Sequence, residues 1–451
     1  MTRSSSIALA LTIALASGVV GCSSCRRAVG WSDRDAAPPA VDASRPAAEA
    51  SAPDVDAAPP PKRESLTAAP WNVVLVSIDS LRADMPWAGY ERPIAPRLTD
   101  LHARSTSYTR AYSTSSFTSK SVAGLLTGRY PSELARTGSF FTRYLEKKDF
   151  VCTSFGEAGV PCIGGHAHAY FGLQQAGFEV GFADWRLVKG IQFDYQTDPY
   201  VTSDKLTPLA IEMLDGVAKK QEGKPFFAWF HYMDPHDEYK SHPESPHFGK
   251  SPRDRYDEEV FFTDLWVGKL LDFVAAQSWA ARTVIAVTAD HGEAFGEHGI
   301  TRHAHEVWEE LVHVPLFFYV PGRPARAIDE PRGAVDLAPT FAQLLGVPLE
   351  LPGTSLVAEL GGGLAPARDV IVDLPEDEYN ERRRALVHGS TKIIAFGKDV
   401  RFSVFDLAAD RQEKHDLWRT KPDLAADLKA RYDAASARIR WLPPVGGIPK
   451  H

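Results

Sequence analysis

WNVVLVSIDSLRAD, residues 71–84, is the stretch that decides the fold. Its first eight residues are an unbroken apolar, β-branched run, the mark of a strand covered on both faces. Such strands belong to mostly parallel sheets with helices on either side. The run stops at Asp79-Ser80-Leu81-Arg82-Ala83-Asp84. Open α/β sheets place their sites at the carboxyl ends of strands. Asp79 is therefore either a site carboxylate or the N-cap of the next helix.

Two later stretches repeat the pattern. FFAWF (226–230) follows Lys224-Pro225 and ends in HYMDPHDEY (231–239). Titratable residues crowded at the end of a buried strand are costly without partners, which points to function and singles out His236. TVIAVT (283–288) reads as a third central strand and ends in Ala289-Asp290-His291-Gly292. A carboxylate and an imidazole on one turn can converge on a cation, which makes half of a metal site.

Between the first two strands lies YSTSSFTSKSVAGLLTGRYP (112–131), hydroxyl-rich at its start and then apolar at helical spacing. A hydroxyl at a helix start sits where backbone N–H groups and the helix dipole favour anions. That suits a nucleophile attacking a phosphate or sulfate ester once its pKa is lowered. The plain alternative is a Ser/Thr N-cap.

Around these stretches, spacing predicts helices at 93–102, 145–158, 202–220, 257–275, 306–311 and 335–345. Strands are predicted at 160–163 and 314–320. Residues 164–168 read as a loop whose His166 and His168 either contact substrate or face solvent. Beyond Gly361 to Gly363, alternating runs at 385–387, 393–396 and 402–405 predict a small antiparallel sheet, closed by a helix at 423–439. The expected domains are 71–365 and 366–451.

The first 22 residues read as a lipoprotein signal peptide, with Val19-Val20-Gly21-Cys22 resembling a lipobox and Cys22 as the lipidated residue. An ordinary secretory signal is the alternative. Residues 23–70, rich in Ala and Pro, read as a disordered tether. The expected location is the cell envelope, anchored to a membrane on its periplasmic or outer-membrane face. Of the 4 cysteines, Cys25 is a second acylated or a free thiol. Cys152 and Cys162 are a candidate disulfide in an oxidising compartment. A hydrophobic content of 44% and a charged content of 24% over 451 residues are ordinary for a soluble protein. A net charge of −8 with no Lys/Arg cluster excludes nucleic acid as partner.

Taken in order, the blocks VVLVSIDSLRAD, LLTGRYP, FHYMDPHDEY, VTADHGEAFGEHG, HAHEVWEELVHVPL, VDLAPTFAQLLGVP and FSVFDLAADRQEKHDL resemble the sulfatase family of the alkaline phosphatase superfamily over roughly 72–417. The resemblance implies an alkaline-phosphatase-like fold: a central, mostly parallel sheet flanked by helices, with a small C-terminal antiparallel-sheet subdomain. It implies Asp79, Thr118, Asp290 and His291 as ligands of one divalent metal, Thr118 also standing at the nucleophile position. His236 and the His303/His305 pair fall where the family contacts ester oxygens and leaving group. Lys120 and Arg82 are candidates to hold the ester oxygens, with Arg82 alternatively buttressing the site through Asp84.

The sequence also departs from the family pattern. Sulfatases carry Cys or Ser followed by x-Pro-x-Arg, for conversion to formylglycine. Here the run is Thr118-Ser119-Lys120-Ser121-Val122. Ser116 has the right gap to Lys120, but only by shifting the LLTGR block by two residues. An unmodified Thr resembles the phosphoryl-transferring relatives, such as phosphoglycerol transferases and phosphodiesterases. Two carboxylates, a hydroxyl and an imidazole favour Mn²⁺ or Zn²⁺ over Ca²⁺ or Mg²⁺. The leading expectation is a membrane-anchored hydrolase or transferase cleaving phosphate or sulfate esters of a small molecule, glycan or lipid. The alternatives are a true sulfatase and a non-catalytic, metal-stabilised binding lipoprotein.

Overall fold

Every residue of the first strand, β1 (Asn72–Ile78), is buried. Because side chains alternate across a strand, Val73 and Leu75 join one apolar cluster and Val74, Val76 and Ile78 the other. The computed structural model describes residues 65–172, 176–192 and 199–449. The signal peptide, Cys22, Cys25 and the tether up to residue 64 lie outside the described residues. Residues 65–70, assigned by composition to the tether, are instead part of the fold. Leu66 is buried in the core, and Trp71 Nε1 donates to its carbonyl at 2.8 Å.

The large sheet continues with β2 (Thr106–Tyr108), β3 (Cys162–His166), β4 (Phe182–Leu187), β5 (Phe227–Tyr232), β6 (Thr283–Ala289), β7 (Leu316–Tyr319) and β8 (Arg326–Ile328). Their spatial order is β8-β2-β7-β6-β1-β5-β3-β4. From β6 to β4 all pairings are parallel, whereas β7 runs antiparallel to both neighbours. Ile78 lies opposite both Tyr232 and Ala289. The residues that follow β1, β5 and β6 therefore emerge side by side at one edge of the sheet, and this register positions the site.

Among the described residues, six helices cover the sheet: α1 (Pro96–His102), α2 (Thr118–Thr127), α3 (Val151–Glu157), α4 (Ser203–Gln221), α5 (Pro252–Ala275) and α6 (Leu337–Leu345). The apolar sides of α1, α4 and α5 pack on the Val74/Val76 face, and those of α2, α3 and α6 on the Val73/Leu75 face. Cys152 on α3 and Cys162 on β3 form a disulfide with Cα atoms 5.8 Å apart. All of α2 is buried, and Gly128 at φ 63° ends it in the left-handed conformation.

Some predicted elements are redrawn. Gly164 and Gly165 were expected in a loop but lie inside β3, and a Cβ on Gly164 would meet the Trp185 ring at 2.6 Å. Pro315 divides the predicted strand at 314–320, and the predicted helix at 306–311 is reduced to Glu309–Val312.

The C-terminal part is an antiparallel sheet of β9 (Asp369–Leu374), β10 (Arg383–His388), β11 (Thr391–Phe396) and β12 (Arg401–Asp406), in that order. β9 is an addition to the three strands expected from the sequence. Helix α7 (Pro422–Ser436) covers one face through Ala425, Leu428 and Tyr432. The other face packs on Tyr112, Phe117, Val307 and Leu311, beside the start of α2. Among the described residues, no helix is long and apolar enough to cross a membrane.

Candidate active site

Asp79 emerges from β1 fully buried. Its Oδ1 accepts from Ser80 Oγ at 3.0 Å, and its Oδ2 lies 3.2 Å from His231 Nε2 and 3.5 Å from Thr118 Oγ1. Asp290 and His291 emerge beside it from β6. Asp290 Oδ1 accepts the N–H groups of His291 (2.9 Å) and Ser80 (3.3 Å). The next residue has to be glycine, because a Cβ on Gly292 would stand 2.1 Å from the Glu310 carbonyl oxygen.

The tautomer of His291 follows from its partners. Nδ1 is 2.9 Å from the Gly292 carbonyl, which can only accept, so Nδ1 carries the proton. The lone pair is then on Nε2, which sits 2.9 Å from Thr118 Oγ1, 3.3 Å from Asp290 Oδ2 and 3.7 Å from Asp79 Oδ1. Thr118 is the first residue of α2, so its hydroxyl enters this space at the positive end of the helix.

These groups fit a divalent cation. Ligand atoms of Asp79, Asp290 and His291 lie within 4.8 Å of one another, all buried. Asp290 Oδ2 is buried without a hydrogen-bond partner among the described residues. Burial, then the neighbouring Asp79, pushes the Asp290 carboxyl well above the usual range. Burial would raise Asp79 as well, but His236, His231 and His291 outweigh it and hold Asp79 well below its usual value. Burial and then His303 push His291 down to about 3, which leaves it neutral as a metal ligand requires. A second group, His298, Glu310 and Glu413, also converges within 4.8 Å. There, however, Glu413 is already occupied by Lys392 Nζ at 2.9 Å and by the Glu309 N–H at 2.6 Å.

Two of the three predicted histidines, His303 and His236, stand near the ligands. The His303 ring is 4.2 Å from that of His291 and 5.0 Å from that of His236. Each is anchored through Nδ1: His303 to Glu293 Oε1 at 3.1 Å and His236 to the Asp237 carbonyl at 2.7 Å. His305 Nδ1 is held instead by Asn380 Oδ1 of the C-terminal part. His166 and His168 do not face solvent. Both are buried, and burial pushes His166 down to about 3.

The two predicted cationic contacts are redirected. Arg82 donates from Nε and Nη2 to Asp84 and from Nη1 to Glu297 and the Glu293 carbonyl, which leaves it as a buttress. Lys120 turns into the protein, where its ammonium pairs with Asp377 and both side chains are 1% exposed. It therefore ties α2 to the C-terminal part instead of reaching ester oxygens. Replacing Lys120 by Met leaves Asp377 buried without its cation, at a cost of about 3–5 kcal/mol. Urea melts should register that loss, and Lys120→Met/Asp377→Asn should recover much of it.

His231 ends a buried apolar run, and nothing local in the sequence assigns it a role. Its partner Ser77 lies directly opposite it in the β1–β5 register.

A mostly parallel sheet with a carboxylate–imidazole pocket at its carboxyl edge, facing a hydroxyl at a helix start, defines an alkaline-phosphatase-like α/β protein. More specifically, the chain belongs to the sulfatase family, whose model, described as "Sulfatase", matches residues 71–347. It is 26% identical over 310 residues to the ulvan-active sulfatase of Formosa agariphila, covering 59% of this chain and 58% of that one. It thus spans just under three-fifths of that relative's length. A 78-residue segment is 42% identical to human iduronate 2-sulfatase, covering 17% of this chain and 14% of that enzyme. The fold matches the solved structure of Ps i-CgsB in complex with k-i-k-neocarrahexaose, with a TM-score of 0.68, 21% identity and coverage of 82% and 94%. It also matches the phosphonate monoester hydrolase of Agrobacterium radiobacter, with a TM-score of 0.66, 16% identity and coverage of 81% and 95%.

Proposed function

We propose that this chain is a metal-dependent ester hydrolase or transferase in which Thr118 is the nucleophile. The observation that carries this reading is the position of Thr118 Oγ1 at the start of α2, within reach of His291 Nε2 and Asp79 Oδ2. Asp79, Asp290, His291 and the Thr118 hydroxyl would hold the cation. When bound, such a cation neutralises charge on the ester oxygens and lowers the pKa of a coordinated hydroxyl.

Thr118 gives up its hydroxyl proton to solvent, and Oγ1 attacks the phosphorus, forming an O–P bond as the bond to the leaving alkoxide breaks. His236 donates a proton to that alkoxide, its ring held by the Asp237 carbonyl and packed beside His303. His305 is the alternative donor. Water, or an acceptor alcohol in a transferase, then attacks the phosphorus and gives its proton to the now neutral His236, as the bond from phosphorus to Thr118 Oγ1 breaks and frees the threonine.

Phosphate is favoured over sulfate by the chemistry of Thr118. Formylglycine is an aldehyde made at a primary carbon, whereas the Cβ of threonine carries a methyl group. The name of the ulvan-active relative makes a glycan ester the first substrate class to screen. Lipidation at Cys22 and the tether would place the enzyme on a membrane of the cell envelope.

The test is mass spectrometry of the peptide containing Thr118 after Mn²⁺-loaded protein meets an activated phosphodiester. A phosphate adduct on Thr118 is expected. An aldehyde at Ser116 or Ser119 would establish a true sulfatase instead. An unmodified peptide with every metal and ester would favour a binding protein.

A further inference from the structure

Behind Asp79 runs a line of buried polar groups whose hydrogen-bond direction can be worked out. Trp229 Nε1 lies 2.8 Å from Ser77 Oγ, Ser77 Oγ lies 2.9 Å from His231 Nδ1, and His231 Nε2 lies 3.2 Å from Asp79 Oδ2. Ser77, Trp229, His231 and Asp79 are all fully buried. An indole N–H can only donate, which makes Ser77 Oγ an acceptor at that end. The hydroxyl proton of Ser77 then has one acceptor among the described residues, the lone pair of His231 Nδ1. A buried hydroxyl left without an acceptor would cost about 1–3 kcal/mol, so the arrangement is directed. His231 Nε2 must in turn carry a proton, and it faces Asp79 Oδ2.

We infer that Trp229, Ser77 and His231 form a one-way positioning relay that presents Asp79 to the cation. His231 donates to Oδ2 and Ser80 Oγ donates to Oδ1, which fixes the rotation of the carboxylate in the pocket. His231 and His291 thereby take opposite tautomers on either side of Asp79. His291 keeps its proton on Nδ1 and offers Nε2 as a lone pair, whereas His231 keeps its proton on Nε2. Ring packing holds the relay rigid, with His231 stacked on Trp229 at 5.5 Å and 25° and Trp229 stacked on Trp185 at 5.4 Å and 26°. His231 is a positioning residue, since it acts through Asp79. Groups that orient a metal ligand typically contribute about 10–100-fold to metal affinity.

This inference rests on Asp79 being a cation ligand, and the experiment separates the two claims. Mn²⁺ titration calorimetry on the full chain would compare wild type with His231→Gln, His231→Leu and Ser77→Ala. Glutamine can place an N–H near the position of Nε2, so His231→Gln should bind within a few-fold of wild type. His231→Leu should bind about 10–100-fold more weakly, and Ser77→Ala should fall between. Equal binding by His231→Leu and wild type would overturn the relay while leaving the metal site standing. Wild type that binds no Mn²⁺ would overturn the metal reading itself. The second readout is ¹⁵N-histidine NMR of metal-free wild type, with the His231 resonance assigned by its loss in His231→Gln. A proton on Nε2 is expected, and a proton on Nδ1 would overturn the relay whatever the variants do.

Discussion

Thr118→Val is expected to lower turnover of an activated phosphodiester by at least about a thousandfold, equivalent to about 4 kcal/mol of transition-state stabilisation. Valine keeps the shape and β-branching of threonine, so α2 should still form. Its start does not depend on this hydroxyl, because the N-cap is Phe117 and carries no side-chain cap bond. What valine removes is the one oxygen placed between His291 Nε2 and Asp79 Oδ2. Thr118→Ser keeps that oxygen but frees its rotation, so it should retain turnover within about one or two orders of magnitude of wild type. The pair is measured by steady-state kinetics with Mn²⁺ in excess, alongside thermal melts. If Thr118→Val turned over at the wild-type rate, the nucleophile would lie elsewhere, with Ser116 and Ser119 the first places to look. Both have buried hydroxyls without a partner among the described residues.

Much of the candidate site was legible because it is built from local signals. Apolar runs ended at Asp79 and Asp290, and each end marked the same edge of the sheet once the strands were taken as parallel neighbours. The hydroxyl run before LLTGR marked the start of α2. What could not be read were contacts that depend on the pairing of distant segments. Lys120 looked like an anion contact because a cation follows the hydroxyl, but its partner Asp377 lies 257 residues away on a loop after β9. Arg82 had Asp84 in view, but not Glu297 or the Glu293 carbonyl.

His231 is the sharper case. Within β5 it looks like one more residue of a buried strand, and its role depends on lying opposite Ser77. Only the order of strands in the sheet supplies that pairing. His166 lies in β3 instead of a loop for a related reason, whereas His168 does lie just after the strand. Gly164 and Gly165 read as a loop, but the large rings of Trp185 and Phe230 on neighbouring strands require glycine inside β3.

Asp290→Asn is expected to separate stability from function. In metal-free protein, Asp79 and Asp290 bring two carboxylates into one buried pocket, where Asp290 Oδ2 has no hydrogen-bond partner among the described residues. Asparagine replaces a carboxyl whose charged form burial and Asp79 disfavour. Its oxygen can still accept from the His291 and Ser80 N–H groups, and its amide N–H can donate towards Asp79 or His291 Nε2. Metal-free Asp290→Asn should therefore melt at or above metal-free wild type. Mn²⁺ should reverse the order. At about one hundred times the dissociation constant, linkage adds about 2.7 kcal/mol to wild type, enough to raise its midpoint by several degrees. The variant should gain much less, and its turnover should fall by about a hundredfold or more. A metal-free Asp290→Asn that melts well below wild type would mean the carboxylate is already satisfied within the protein. The pocket would then be a closed polar network instead of a cation site, and the case for Thr118 as a metal-activated nucleophile would fail with it.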